Sequence, residues 1–567
     1  MYIYAIVMLI HLAKKNKQIA NNINDDYKKL YEYDRNINEN ILNNLYSYEK
    51  INEQKFNFHS VKDEIPHTQL VTSIVDMSKG YDYKLKYMKL ITIDILLNHS
   101  FSFKCVKTYN IYRSNKCFHH LIKTDVKISG MEYDDVIVYV FDTAQFPFFV
   151  VLGNGSNWGA LDVHIHYIYY YTINKIYNLL YRSEHYLENR ETVCKSILDY
   201  YNSNNILESN KISYMIGFQS NIGHTYWNEI SGFNFLREMN LLKNINNFII
   251  GPYDYYNIGN YLKKNNYNVV RTNDITNINS LLNNNLLVKY NDWYMSESLK
   301  EFVICINPYD NKHELNQIND VKKNYYPIIT FNLRGLYRHI HNQEEYFSNI
   351  INNLLIIYPK LYIIFDGYTV NKNVNLDLYG NEGVKSNLNI FDNSYTTIVN
   401  TIISKINTKN YTSLIGSTLN RVFKWLDISN YGLMQLGAGS FLYTWIMNKK
   451  ALYVGRNLYV NDELLIHVFH DYYYRENRDF TTYINPKLVD FDTYSKPNNE
   501  FEFYWKKILC FMLRDLIILE KNNHNLSQHN YIVKYNYYMN WNHDINLDNL
   551  IKLDIKNIYK FLQTRLV

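Results

Sequence analysis

Four short stretches hold residues whose types and spacing suit chemistry. Gly437-Ala438-Gly439-Ser440 lies between an apolar run (431–436) and an apolar-periodic segment of helical length (441–447). In an open α/β sheet such a small-residue turn lets a ligand approach the backbone and aims the N–H groups of a helix start at an anion. Its guest would be a phosphate or diphosphate; the plainer reading is that Gly437 and Gly439 only permit a tight turn and close helix packing. Arg334-Gly335 ends a second apolar run (328–333), with Arg338 and His339 close by. A guanidinium fork matches phosphate oxygens, and a solvated basic turn is its bland counterpart. Asp366 closes a third run (361–365), placed either to bind a sugar hydroxyl or to cap a turn. His224 follows Gly223 at the start of a predicted helix, where the helix N-terminus favours the neutral imidazole that accepts a proton. Glu229 stands about one and a half turns further on as the reserve base; a structural cap is the competing role for the histidine.

Metal chemistry has weaker support. Asp162, His164 and His166 alternate, so all three project from one face of a strand, but no fourth ligand is near. His467 and His470 are spaced for one helix face, and Asp490-Phe491-Asp492 is the only DxD, standing among loop residues. A solvated strand, an ordinary surface and coincidence account for these three, and no metal is expected. Trp227 and Trp445 sit on periodic faces and read as core more readily than as sugar-stacking platforms.

The elements that must position these residues alternate in type along the chain. Residues 1–80 read as a loosely helical N-terminal segment, and 81–205 as a mostly β module with strand-like runs at 85–97, 126–128, 136–141 and 148–152. From 206 to 325 strands (212–217, 248–251, 269–270, 286–288, 302–306) alternate with an amphipathic helix at 225–239. A second series over 326–500 runs strand 328–333, helix 343–358, strand 361–365, helix 394–406, strand 412–415 and helix 419–427, then the glycine turn and strand 451–454. A helical segment, 501–567, follows. This rhythm predicts an α/β fold with two Rossmann-like lobes facing a cleft.

Composition sets the limits. A chain of 567 residues has room for roughly three or four domains. Its 58 tyrosines share A/T-rich codons with the abundant Asn, Lys and Ile, so their number reflects genome composition first. A formal charge of +5, with Lys and Arg spread along the chain, argues against nucleic acid as a partner. Five scattered cysteines without a CxxC pair support neither a disulfide framework nor a zinc ribbon, and fit the reducing cytoplasm. The apolar start, MYIYAIVMLIHLA, lacks a basic n-region and falls short of the roughly 20 residues of a membrane helix. It is expected to be a buried or interfacial helix, leaving the chain soluble or peripheral at a membrane.

Taken together, GFQSNIGHTYWNEISGF, TFNLRGLYRHIHNQ with IIFDGY, and LGAGSFLYTWIMNKKALYVG resemble bacterial proteins of glycosyltransferase type. In that group stretches like GHYLWNELSG, R…NQ…FDG and GAG…W recur in this order. The broader likeness is to GT-B glycosyltransferases, and it covers about 212–455. It implies two Rossmann-like lobes, with a nucleotide-sugar donor as co-substrate held mainly by the C-terminal one, and a glycan or glycoconjugate acceptor. The paired glutamates by which some GT-B families hold the donor are missing, which leaves the donor sugar open. A non-catalytic glycan-binding or scaffold protein on the same fold is the rival, because fold does not fix function.

Overall fold

The fold is a computed structural model that describes residues 81–104, 111–123, 133–142, 147–154, 163–172, 175–178, 190–219, 222–282, 284–292, 296–334, 340, 342–367, 369–370, 382–435, 442–454, 481–483, 498–521 and 547–565. These divide into two compact units. The first draws on Met1–Ser220, His224–Asp254 and Ile258–Trp293; the second draws on Asn221–Gly223, Tyr255–Asn257 and Tyr294–Val567. No helix among the described residues is long and apolar enough to cross a membrane.

The first unit opens with helix α1 (Tyr81–Asn98) and an antiparallel pair, β1 (Phe101–Lys104) and β2 (Ile111–Ser114). The run 85–97, expected as a strand, is the body of α1. Its thirteen residues exceed ordinary strand length, and Met88, Ile91, Ile95 and Leu96 are buried near helical spacing. Five strands then form an antiparallel sheet in chain order: β3 (Cys117–Lys123), β4 (Tyr133–Phe141), β5 (Phe148–Asn154), β6 (Val163–Tyr170) and β7 (Lys175–Asn178). Val136, Val138 and Val140 of β4 and Phe149 and Val151 of β5 alternate onto one face. There Val193, Cys194 and Ile197 of α2 (Arg190–Ser203) pack against them.

A parallel sheet completes this unit. Its strands are β8 (Ile212–Ile216), β9 (Asn247–Ile250), β10 (Val269–Arg271) and β11 (Leu286–Val288), in the order β10-β9-β8-β11. A π-helix (Thr225–Ile230) runs into α3 (Ser231–Glu238), and α4 (Ile258–Lys264) and α5 (Ile278–Leu282) follow later. The antiparallel module docks on the edge strand β11 through side chains. Leu287 N–H donates to Cys117 Sγ (3.0 Å) and its carbonyl accepts from the Tyr139 hydroxyl (2.5 Å). Asn279 bonds both backbone groups of His119 (2.8 and 2.6 Å), so the sheet edge is capped without a further strand.

The second unit begins with α6 (Glu297–Ile306) and α7 (Lys312–Asn324). Residues 302–306, expected as a strand, close α6. Ser296 Oγ caps the helix by accepting from Leu299 N–H (3.1 Å), and buried Leu299, Phe302 and Val303 share one helical stripe. The large sheet takes β12 (Ile328–Asn332), β13 (Tyr362–Asp366), β15 (Tyr411–Ser413), β17 (Tyr431–Gln435), β18 (Ala451–Val454) and β19 (Thr481–Tyr483). β14 (Thr369–Val370) and β16 (Ser417–Thr418) pair separately. The order is β15-β13-β12-β17-β18-β19, all parallel. Numbered within the sheet it reads 3-2-1-4-5-6, the order of doubly wound α/β sheets.

Both faces are covered, as period-two strands buried on each side require. Ile329, Phe331, Ile363, Phe365, Leu433 and Leu452 meet α8 (Gln343–Ile357) and α9 (Glu382–Lys405), together with α11 (Asn498–Lys521) and α12 (Ile555–Arg565). Their neighbours Ile328, Tyr362, Ile364, Met434 and Tyr453 face α7, α10 (Leu419–Asp427) and a second π-helix (Leu442–Ile446).

Candidate functional site

In a sheet of order 3-2-1-4-5-6 the connections leaving strands 1 and 4 diverge, and a crevice opens outside their carboxyl ends. Here those strands are β12 and β17, paired through Ile329 and Tyr431, Thr330 and Gly432, and Phe331 and Leu433. β12 ends in Asn332 and leads to Arg334; β17 ends in Gln435 and leads directly to Gly437-Ala438-Gly439-Ser440.

Backbone groups past the last ladder bond need new partners when buried. Two glutamines supply them. Arg334 N–H donates to Gln343 Oε1 (3.2 Å) and Gln343 Nε2 donates back to the Arg334 carbonyl (2.5 Å). Gln435 Nε2 donates to Gln343 Oε1 (2.8 Å) and to the Asn332 carbonyl (3.0 Å), while its Oε1 accepts from Ile340 N–H (2.8 Å). Gln343, Gln435 and Ile340 are buried, and Arg334 is half-buried.

Asp366 is the last residue of β13, opposite Asn332 of β12. It is 1% exposed, and neither carboxylate oxygen has a hydrogen-bond partner of good geometry. Burial pushes its pKa up to about 6; the nearby Gly367 N–H and Asn332 side chain offset only part of that. Gly367 leaves no room for a side chain, since a Cβ there would crowd Tyr395 and the Leu333 carbonyl.

The first unit finishes its strands differently. Glu229 lies buried in the first π-helix, and its Oε2 accepts from the N–H of Gly217 (3.0 Å), the residue after β8. Gly217 adopts φ +83°, a left-handed conformation that glycine takes without strain, and a Cβ on Gly251 would collide with the Gly217 carbonyl. Burial and the Glu229 charge both raise the Tyr214 phenol. Asp254, four residues beyond β9, accepts from Ile258 N–H (2.7 Å), Gly259 N–H (3.0 Å) and the Arg271 guanidinium (2.9 Å).

Of the residues singled out in the sequence, Arg334 and Asp366 stand at the carboxyl ends of adjacent strands in the second unit. His224 ends one helical turn, Ile222–His224, in front of the first π-helix, and Glu229 lies within that π-helix. Trp227 and Trp445, one in each π-helix, are buried. Gly335, Arg338, His339, Gly437, Ala438, Gly439, Ser440, Asp162, His467, His470, Asp490 and Asp492 lie outside the described residues. His164 and His166 are on β6. Among the described residues no three His, Cys, Asp or Glu side chains gather into a metal-binding group. Gln343 and Asn332 stood in the stretches quoted for the resemblance without a role assigned to them, and Gln435 was not singled out. The available signal was an amide closing the buried strand YGLMQ and another opening a helix in HNQEEYF.

No protein-family profile matches the chain, and no curated protein matches it. Among solved structures it is similar to an S. aureus MnaA co-structure with UDP, at 10% identity over 56% of this chain and 98% of that one, with a TM-score of 0.21. It is also similar to a crystal structure of TarM, at 10% identity over 84% of each chain, with a TM-score of 0.20. At those scores the likeness carries no argument about fold or ligand.

Proposed function

We propose that the protein is a glycosyltransferase that moves a sugar from a nucleotide-sugar donor to an acceptor hydroxyl on a glycan or glycoconjugate. The observation that supports this most is the strand order 3-2-1-4-5-6, with Arg334 following strand 1 and Gly437-Ala438-Gly439-Ser440 following strand 4. A sheet of that order offers an anion site where these two connections part. In this reading Arg334, Gly335 and the glycine turn take the diphosphate, whose departure they stabilise as charge builds on it. Asp366 receives a sugar hydroxyl. His224 takes the acceptor's proton and Glu229 stands in reserve, its carboxylate already holding Gly217 N–H.

The reaction needs no metal in this reading, and full activity in excess EDTA is the expected result. The primary test is a panel of nucleoside diphosphates and nucleotide sugars scored by thermal shift, since a ligand selective for the native state raises its stability. Binding should then fall by about 1.5 to 3 kcal/mol in Arg334→Ala, the range for charge-assisted hydrogen bonds. A panel in which nothing binds, or an Arg334→Ala protein that binds as well as wild type, overturns the donor site. Glycan binding without donor binding would favour the scaffold reading.

A further inference from the structure

Asp366 and Asn332 close neighbouring strands as register partners, so their side chains leave the sheet on the same face. It is the face on which Ile364 and Tyr362, two and four residues earlier in β13, meet α7, α10 and the second π-helix. The main chain here is fixed. The Asp366 carbonyl accepts from Leu333 N–H (2.7 Å), one bond past the end of β12. Gly367 then turns where a Cβ would crowd Tyr395 and the Leu333 carbonyl, and β14 goes on to pair with β16, Thr369 beside Ser417 and Val370 beside Thr418. Backbone bonds thus hold the carboxylate at the carboxyl end of the sheet and leave both of its own oxygens unused.

A buried carboxylate without donors is costly. Burial raises this one to about 6, so at neutral pH it is charged, and hydrogen bonds to the charged form offset the cost. Ionised, it is an acceptor only, with two oxygens side by side. A pair of neighbouring hydroxyls matches it, one on each oxygen. A metal ion would need further ligands, and the described residues gather none into a metal-binding group. Place in the sheet narrows the choice. β13 is strand 2 of the order 3-2-1-4-5-6, next to strand 1, and Asp366 closes the unit β12-α8-β13. In sheets of this order a nucleotide lies across the carboxyl ends, and the acid that closes the first strand-helix-strand unit takes the ribose 2′-hydroxyl.

We infer that Asp366 is a specificity-determining residue that accepts the 2′- and 3′-hydroxyls of the nucleotide's ribose, one on each carboxylate oxygen, and so selects ribonucleotides over deoxyribonucleotides. The inference rests on the nucleotide-sugar reading above and names the hydroxyls that Asp366 takes; Arg334 and the glycine turn have no part in it. Both oxygens are closed to solvent, so the chain over them must give way to the ligand, and association slower than an unhindered encounter is expected.

The test crosses a ligand series with one variant of the full chain. Dissociation constants for UDP, GDP, ADP and CDP, each with its 2′-deoxy and 3′-deoxy counterparts, are measured by titration calorimetry at pH 7.5 in wild type and Asp366→Asn. Thermal midpoints alongside show that the variant is folded; Asp366→Ala stands in if it is not. Wild type is expected to hold the ribonucleotide it binds about ten- to a hundredfold more tightly than either deoxy form, the range for hydrogen bonds to a charged group. In the variant that preference should shrink to less than about threefold, because the partner of the missing hydroxyl is already gone. Equal binding of ribo and deoxy forms by wild type, or a preference that persists in the variant, overturns the inference and leaves the nucleotide-sugar reading standing. If none of the diphosphates binds, that reading falls and the inference with it.

Discussion

Asp366 ends the second strand of its parallel sheet and Asp254 lies four residues beyond the second strand of the other, and their surroundings treat them in opposite ways. Asp254 is spent on structure, with two N–H groups at the start of α4 and the Arg271 guanidinium on its oxygens. Asp366 has neither oxygen well bonded, although it is as deeply buried. The same contrast holds after the first strands. Glu229 reaches back to close the turn at Gly217, whereas the residue after β12 is braced from outside, Gln343 gripping both backbone groups of Arg334. In the first unit the side chains consume the strand ends; in the second they brace them. A sheet carboxylate that costs stability where it stands is one that a ligand's donors can relieve, in keeping with the donor site proposed for the second unit.

The largest expected effect tests whether the first unit contributes chemistry at all. His224→Ala should lower turnover by about two to four orders of magnitude, the range for a general base, with diphosphate affinity unchanged. Steady-state rates beside calorimetric affinities check this. If Glu229→Gln abolishes turnover and His224→Ala does not, the base is Glu229, and the claim that the first unit spends its acids on structure breaks.

Next comes Asp515 of α11, the fully partnered carboxylate of the second unit. It accepts from Arg514 (2.7 and 3.0 Å) and from the Tyr431 hydroxyl (2.7 Å). Burial pushes its pKa up, but Arg514, Lys450 and Tyr431 outweigh that and hold it below the usual carboxylate range. Asp515→Ala leaves buried cations without their counter-charge and should cost about 3 to 5 kcal/mol by urea denaturation. Its folded pKa is depressed, so its contribution is present above about pH 4 and is lost as acid protonates it.

Asp366 should do the reverse. Its folded pKa, raised to about 6, makes its contribution fullest below about pH 4 and loses it as pH rises through 6. Asp366→Asn should therefore stabilise the protein at pH 7.5 by up to about 3 kcal/mol, two pKa units' worth, with the gain fading toward pH 4. Equal or lower stability at pH 7.5 would remove the distinction drawn here. The smallest effect closes the comparison: Asp254→Ala should destabilise by about 1 to 2 kcal/mol, the range for losing a helix-capping side chain. Two aspartates at matching places would then change stability in opposite directions.

Much of the strand and helix series was legible because burial imposes its period on the residues. Ile328, Tyr362 and Ile364 alternate with Ile329, Phe331 and Ile363 between two cores, and such alternation is written locally. Arg334 and Asp366 were visible as polar residues closing apolar runs. The misread segments show where local pattern fails. Residues 85–97 and 302–306 are rich in β-branched side chains, yet length in the first and a serine cap in the second decided for helix. The glutamine brace was illegible for a different reason. Gln343 and Gln435 are 92 residues apart, and only the pairing of β12 with β17 brings their carboxamides together. The helix of the C-terminal segment was legible, and as α11 it lays Ile508, Leu513 and Leu516 on the large sheet.

That last placement bears on how the chain is made. The first unit's parallel sheet is drawn from strands between Ile212 and Val288, so its ladder can close soon after those residues leave the ribosome. One face of the large sheet has only part of its cover early, from α8 and α9. β12 begins at Ile328, but α11 and α12, which seal Ile329, Phe331 and Leu433, emerge only after Asn498 and Ile555. At about 5 to 20 residues per second, that interval leaves the rest of this apolar face uncovered for roughly ten to forty seconds. Nascent chains arrested before Asn498 should therefore bind hydrophobic dyes and chaperones strongly, and chains released past Arg565 should not.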